Sequence, residues 1–285
     1  MERTLSENES KVVLDLEWRG EKTVTVSEIR RMLGCSDGYA RFMAHRLVVK
    51  GWFERLRAGV YQLVPAARGR EGVPDTNPLA AGAVLVSPYF YSFGTACTYH
   101  GLTEQVFSEV YVVTTSRRRP GIVRGKRYIF VPVTEARFYG FAEIKVLGAA
   151  VQMATAERAL LDAIDRPHYA GGMGEVSRIV ARASTRASWD VVVEFARRWS
   201  ESALVQRLGY LVEINGVELP GDVMAGLRGL LRPGSKVVFG PRARWGSRGR
   251  LARPWNVIEN VPRDVLVGSD DKRRRRLRFE TGDNR

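Results

Sequence analysis

The stretch that decides the fold is Thr25–Val64, TVSEIRRMLGCSDGYARFMAHRLVVKGWFERLRAGVYQLV. It begins with a helix start: Thr25 and Glu28 have the spacing of a capping box, each side chain able to bond the other's backbone N–H. Val24 and Ile29 stand at the flanking staple positions. Ile29, Met32 and Leu33 recur at i, i+3 and i+4, so one helix face is apolar, and Gly34 suits the residue just past the helix end. Ser36 is a good N-cap for a second helix. There Ala40, Met43, Ala44 and Leu47 form the buried stripe, while Tyr39, Arg41, His45 and Arg46 fall mostly off it. Residues 53–64, FERLRAGVYQLV, alternate on either side of Ala58-Gly59 and predict a β-hairpin. Upstream, SKVVLDLEW (10–18) supplies an earlier short helix. Helix, helix, tight turn, helix and hairpin is the order of a winged helix-turn-helix, expected over residues 1–66.

The run 65–78, PAARGREGVPDTNP, holds three prolines and no periodicity, so 67–78 is expected to be a linker. A mixed region follows over 79–265. YSFGTACTYHGLTEQ (91–105) predicts a short helix ending at Gly101. EVYVVTTS (109–116), RYIFVPV (127–133) and AEIKVLG (142–148) predict strands joined by basic turns. TAERALLDAID (155–165) predicts a helix with Thr155 as N-cap, an apolar face of Leu160, Leu161 and Ile164, and a stop at Pro167. Helices are also expected in SWDVVVEFARRW (188–199) and VMAGLRGLL (223–231), then strands in KVVFG (236–240) and WNVIENVP (255–262). Residues 266–285, with DKRRRRLRF, carry the charge pattern of a basic disordered tail. The fold class expected is α/β of the α+β kind: an N-terminal winged helix-turn-helix followed by a mixed α/β domain.

Over 285 residues, 45 Lys and Arg against 31 Asp and Glu leave a net charge of +14. An excess of that size points to a polyanion, nucleic acid first and an anionic membrane second. Two cysteines, Cys35 and Cys97, make neither a disulfide framework nor a zinc site, and His45, His100 and His168 have no metal-ligand spacing. The N-terminus lacks a signal-peptide core. The most apolar run, LAAGAVLVSPYFY (79–91), is short and broken by Pro88, which argues against a membrane span. A cytoplasmic protein with no cofactor and no metal is expected.

In a helix-turn-helix the exposed half of the second helix meets the major groove. That assigns DNA contacts to Ser36, Tyr39, Arg41, His45 and Arg46. Arginine can read guanine bidentately, and Ser and Tyr suit phosphates. Arg55 and Arg57 lie at the wing, where cations meet the backbone or minor groove. The alternative is a winged helix used for protein contact. Two further groups, Arg117, Arg118, Arg119, Arg124, Lys126 and Arg127, and Arg242, Arg244, Arg248, Arg250 and Arg253 around Trp245, are either solvated loops or a second phosphate-binding face.

Enzyme signals are weak. Glu143-Ile144-Lys145 has the E-x-K form of metal-dependent nucleases, but no aspartate on residues 110–142 completes a set of converging carboxylates. No Ser-His-Asp order, phosphate-binding glycine loop or zinc motif occurs. The stretch ERALLDAIDRPHYAGGMGEV (157–176) gathers acids, arginines and His168. It reads as scaffold: leucines turned inward, Asp162 and Asp165 at the solvent edge, then a stop and a glycine turn at Gly171-Gly172.

That stretch, together with ACTYHGLTEQ (96–105) and the closing WNVIENVP, resembles the AbiEi antitoxins of type IV toxin–antitoxin systems. The resemblance spans roughly residues 20–265. It implies an N-terminal winged helix-turn-helix and an α/β antitoxin domain. It implies binding of inverted repeats in double-stranded DNA upstream of the protein's own operon, which represses that operon. It also implies neutralisation of a cognate nucleotidyltransferase toxin, commonly without a stable complex, and no catalysis. The helix opened by Ser36 becomes the DNA reader, and Glu157–Val176 the core of the antitoxin domain. The Arg-rich tail and the basic loop around Trp245 depart from the family pattern.

Overall fold

The computed structural model describes residues 4–68, 78–79, 85–123, 125–146 and 149–267. Most of the expected linker, the tail beyond residue 267 and Arg124 therefore lie outside the described residues. The chain forms two compact units. One comprises Met1–Tyr89 with Arg119–Tyr128 and Lys145–Val151, the other Phe90–Arg118 with Ile129–Ile144 and Gln152–Arg285.

The first unit contains α1 (Glu7–Arg19), β1 (Thr23–Thr25), α2 (Val26–Leu33), α3 (Asp37–Val49), β2 (Phe53–Arg57) and β3 (Val60–Leu63). The capping box forms as its spacing predicts: the Thr25 N–H donates to Glu28 Oε2 (2.6 Å) and the Glu28 N–H to Thr25 Oγ1 (3.2 Å). Gly34 ends α2 in the left-handed region. The stripe Ala40, Met43, Ala44 and Leu47 is wholly buried against Val12, Val13 and Leu16 of α1 and Ile29 of α2. Each of the larger side chains contributes about 1.5–3 kcal/mol of burial, which is what holds α3 in one orientation. The sequence does not announce β1, which pairs antiparallel with β3 and makes the wing a three-stranded sheet in the order β1-β3-β2. The wing's turn is also latched to α2, because the Val26 N–H donates to Gly59 O (3.0 Å).

A six-stranded sheet is made from β4 (Tyr89–Tyr91), β5 (Glu109–Thr114), β6 (Gly121–Val123), β7 (Lys126–Pro132), β8 (Phe141–Val146) and β9 (Ala149–Ala154). Its order is β6-β7-β5-β4-β9-β8, with β4 parallel to β9. The second unit contains α4 (Phe93–Tyr99), α5 (Ala156–Asp165), α6 (Met173–Ala183), α7 (Trp189–Trp199), α8 (Ser202–Ile214) and α9 (Gly221–Gly229). It ends in a small sheet of β10 (Val237–Val238), β11 (Arg250–Ala252) and β12 (Val257–Glu259), with α10 (Arg242–Trp245) and α11 (Arg263–Val267). The fold class is thus the mixed α/β arrangement expected. No helix among the described residues is long and apolar enough to cross a membrane.

Of the features of the second unit that escaped the sequence reading, two bear on its core. The first is α8, SALVQRLGYLVEI, which is apolar on nearly every side and is packed on nearly every side. Gly209 sits mid-helix because the fully buried Trp255 indole lies where a side chain would be: a Cβ there would fall 2.2 Å from Trp255 Cε3. The indole N–H donates to Glu213 Oε2 (2.9 Å) one turn further along.

The second corrects the reading of the 157–176 stretch. Thr155 does cap α5, accepting from the Arg158 N–H (3.3 Å), and Leu160, Leu161 and Ile164 are buried. Asp162, however, is not at the solvent edge. It is buried with Arg158, whose Nε–H donates to Asp162 Oδ2 (3.0 Å), and Ser92 Oγ–H donates to the same oxygen (2.6 Å). Arg158 further donates to the carbonyls of Arg137 (2.7 Å) and Tyr139 (3.1 Å) and lies over the rings of Tyr139 and Trp199. The reason is tertiary: α5 is covered on both sides, so a polar pair at i, i+4 has to be satisfied internally. The two motifs that carry the family resemblance pack on each other. Thr103 Oγ–H donates to Glu175 Oε1 (2.5 Å), and Gly171 leaves room for the Gln105 amide. Within the stretch the leucines are turned inward as expected, and the Arg158–Asp162 pair is buried with them.

Candidate nucleic-acid interface

On α3 the buried stripe fixes what faces outward. Ser36, Tyr39, Arg41 and His45 are all exposed. Ser36 Oγ accepts from the Tyr39 N–H (3.3 Å), which leaves its own O–H free to donate. Tyr39 Oη accepts from Asn8 Nδ2 (3.2 Å), so the phenol is held in place from α1. Arg41 makes no ion pair among the described residues, so its full charge and its planar donor fork are available.

Arg46 is differently placed. Its Nε lies 3.1 Å from Glu9 Oε1, and Lys50 Nζ lies 2.7 Å from Glu9 Oε2. Glu9 is wholly buried and also accepts from the Ser6 N–H (2.6 Å). Burial alone would raise the Glu9 pKa, but the bonds from Lys50 and the Ser6 backbone outweigh it and hold the carboxyl below its ordinary value. One carboxylate thus ties the C-terminal half of α3 to the start of α1. Arg46 is first an anchor of α3, with its guanidinium left partly exposed.

Sequence reasoning overlooked both Glu9 and Phe42. Phe42 is 52 % exposed between Tyr39, with ring centroids 6.2 Å apart, and Arg46, whose guanidinium lies 5.7 Å above the ring. The signal was present: an aromatic residue off the buried stripe has no core to enter. An exposed ring of this kind can contact a thymine methyl. At the wing, Arg55 is exposed on β2, opposite Tyr61. Arg57 closes β2, and its side chain lies outside the described residues.

The other basic groups divide. Arg117, Arg118 and Arg119 are exposed after β5, with Arg118 over the Phe130 ring (5.6 Å), and Lys126 and Arg127 are exposed on β7. Arg242 and Arg244 are exposed on α10, Arg244 over Trp245 (4.9 Å), and Arg248 and Arg253 are exposed in the loops beyond. Arg250 is engaged: its Nε–H donates to Glu259 Oε2 (2.8 Å), a bond that depresses the Glu259 pKa and raises its own. Glu143 and Lys145 lie on β8, where the Glu143 carboxylate accepts from Gln152 Nε2 at 3.5 Å. Among the described residues no group of three or more His, Cys, Asp or Glu side chains could hold a metal ion.

These elements define a winged helix-turn-helix protein whose α3 presents an outward cationic and aromatic face. Residues 12–64, from the core of α1 to just past β3, match the family model described as "Transcriptional regulator, AbiEi antitoxin". The match bears out the resemblance, yet it falls on the winged helix, not on the two motifs of the second unit that first carried it. The crystal structure of the RV2827C protein from Mycobacterium tuberculosis superposes with a TM-score of 0.63 over 90 % of this chain and 92 % of that one, at 16 % identity. That likeness establishes a common fold across nearly the whole chain. No curated protein matches the sequence.

Proposed function

We propose that the protein is a DNA-binding antitoxin that represses its own operon and counters a nucleotidyltransferase toxin, without catalysis of its own. The observation carrying this reading is the outward face of α3. Arg41, His45, Tyr39 and Ser36 stand on a helix whose other face is wholly buried, inside the segment that matches the regulator family. Arg41 would read a base edge in the major groove, and Phe42 would add an apolar contact to a thymine methyl. Arg55 and Arg57 would meet phosphates, as would Arg117–Arg119 and Arg242–Arg248. An inverted repeat would seat two copies along the duplex. The protein would act in the cytoplasm, where such DNA is found.

The experiment is footprinting of the full chain on DNA upstream of its own gene at two salt concentrations. The expected result is protection of an inverted repeat that weakens steeply with salt. Diffuse coverage or none would overturn the repressor reading. Co-expression with a nucleotidyltransferase encoded beside the gene tests the antitoxin part, and the expected result is relief of growth arrest.

One observation favours a second reading. The family match ends at residue 64, so a regulator with no toxin partner would account for the matched residues equally well. The absence of any adjacent toxin gene would select it. A nuclease using Glu143 and Lys145 is tested by incubation with DNA and magnesium or manganese, where no cleavage is expected.

A further inference from the structure

The second unit contains a cavity of about 380 Å³ between the end of α5, the start of α6, α8 and the segment 236–242. Its size falls in the range of small-ligand sites. Its lining includes the apolar Ile164, Met173 and Phe239 and the cations Arg207, Lys236 and Arg242. Arg207 is fixed, with its Nε–H donating to Phe239 O (3.2 Å) and Nη2 to Val238 O (3.3 Å).

The charge is out of balance. None of the three cations makes an ion pair among the described residues. Of the residues lining the cavity only Asp165 is acidic, and it is already placed 3.4 Å from Arg166. Elsewhere in this unit the buried Arg158 has Asp162 as carboxylate partner and the partly buried Arg182 has Glu104. Asp165 and Glu201 act on the Arg207 charge only from beyond salt-bridge distance, and Lys236 and Arg242 are exposed at the same cavity. A concave site lined by three cations and one acid suits an anion, and a guanidinium matches the oxygens of a phosphate. Burial also works against the charge on Arg207 and lowers its pKa, a cost that a bound anion would offset.

We propose that this cavity binds a phosphate monoester, its oxygens on Arg207, Lys236 and Arg242 and its organic body on the wall of Ile164, Met173 and Phe239. The monoester could be a free mononucleotide or the 5′-terminal phosphate of a nucleic-acid strand. The site uses no residue of α3, and it shares only Arg242 with the basic group around Trp245.

The test is calorimetric titration of the full chain with adenosine 5′-monophosphate, with adenosine as control. A short single strand is titrated in parallel, carrying either a 5′-phosphate or a 5′-hydroxyl. The wild-type protein is compared with Arg207→Met and with the double variant Lys236→Ala/Arg242→Ala. Both residues of the double variant are exposed, so it remains informative if Arg207→Met does not fold. The expected result is binding of a phosphate-bearing probe, with loss of about tenfold or more in affinity when the phosphate is removed or the cations are replaced. Binding of the mononucleotide identifies the free compound; binding only of the 5′-phosphorylated strand identifies the strand end. If no phosphate-bearing probe binds, or if binding is the same in the double variant, the proposal is overturned.

Discussion

Arg158 and Asp162, one turn apart on α5, close a buried salt bridge of 3.0 Å. Removing one partner leaves the other buried and uncompensated, which costs about 3–5 kcal/mol. Asp162→Ala is therefore expected to lower the urea midpoint of the second unit sharply, with Ser92 also losing its acceptor. The paired change Arg158→Met/Asp162→Leu, which leaves no stranded charge, should cost less than the single change. Equal losses in the two proteins would show that the pair is not the origin of the effect.

Trp255 against Gly209 gives a prediction of opposite kind, overpacking. A methyl at position 209 would overlap the indole, which is fully buried. Gly209→Ala gains about 1 kcal/mol of helix propensity, but the steric term is larger, of the order of 1–3 kcal/mol or more. A net fall in melting temperature is expected, with a red shift in tryptophan emission at lower denaturant. A rise would mean that the helix can relax around the indole.

Acid should loosen the winged helix through Glu9. A carboxyl whose pKa is depressed in the folded state adds stability that is complete above its ordinary pKa and disappears as pH falls through the depressed value. Glu9 is such a group. Its contribution is expected to be full at neutral pH and to fade below about pH 4. Glu9→Gln should destabilise the protein at pH 7 and lose that difference as pH falls through the depressed value, as followed by circular dichroism melts. A difference that does not change with pH would point to packing instead of charge.

On DNA, Arg41 and Arg55 should behave differently. Arg41→Ala is expected to cost about 1–3 kcal/mol at the operator and to relax discrimination at one base pair. Arg55→Ala should weaken all sequences alike and reduce the salt slope by about one unit. Binding competitions at several salt concentrations separate the two. Parental behaviour in both variants would remove α3 as the reader.

Local chemistry made the first unit legible. The Thr25 and Glu28 spacing, the Ser36 cap and the Ala40-to-Leu47 stripe each depend on neighbours within a turn, and each formed as read. What stayed hidden depends on the chain returning from far away. Glu9 looks like a solvated acid until α3 brings Arg46 and Lys50 across. Asp162 looks like an edge residue until the chain around Tyr139 and Trp199 covers α5. The helix around Gly209 shows little amphipathic period because nearly every face of it is packed. β1 is only three residues long and becomes a strand through its partner β3.

The bond from the Val26 N–H to Gly59 O gives the free protein a shape it does not need to acquire on binding. With the wing's turn held to the head of α2, and α3 clamped by Glu9, little backbone is left to order when a duplex arrives. Association should then resemble the docking of a preformed rigid surface. Its enthalpy, measured over a range of temperatures, should vary only as the buried interface requires, without the large negative heat-capacity change of a segment that folds as it binds.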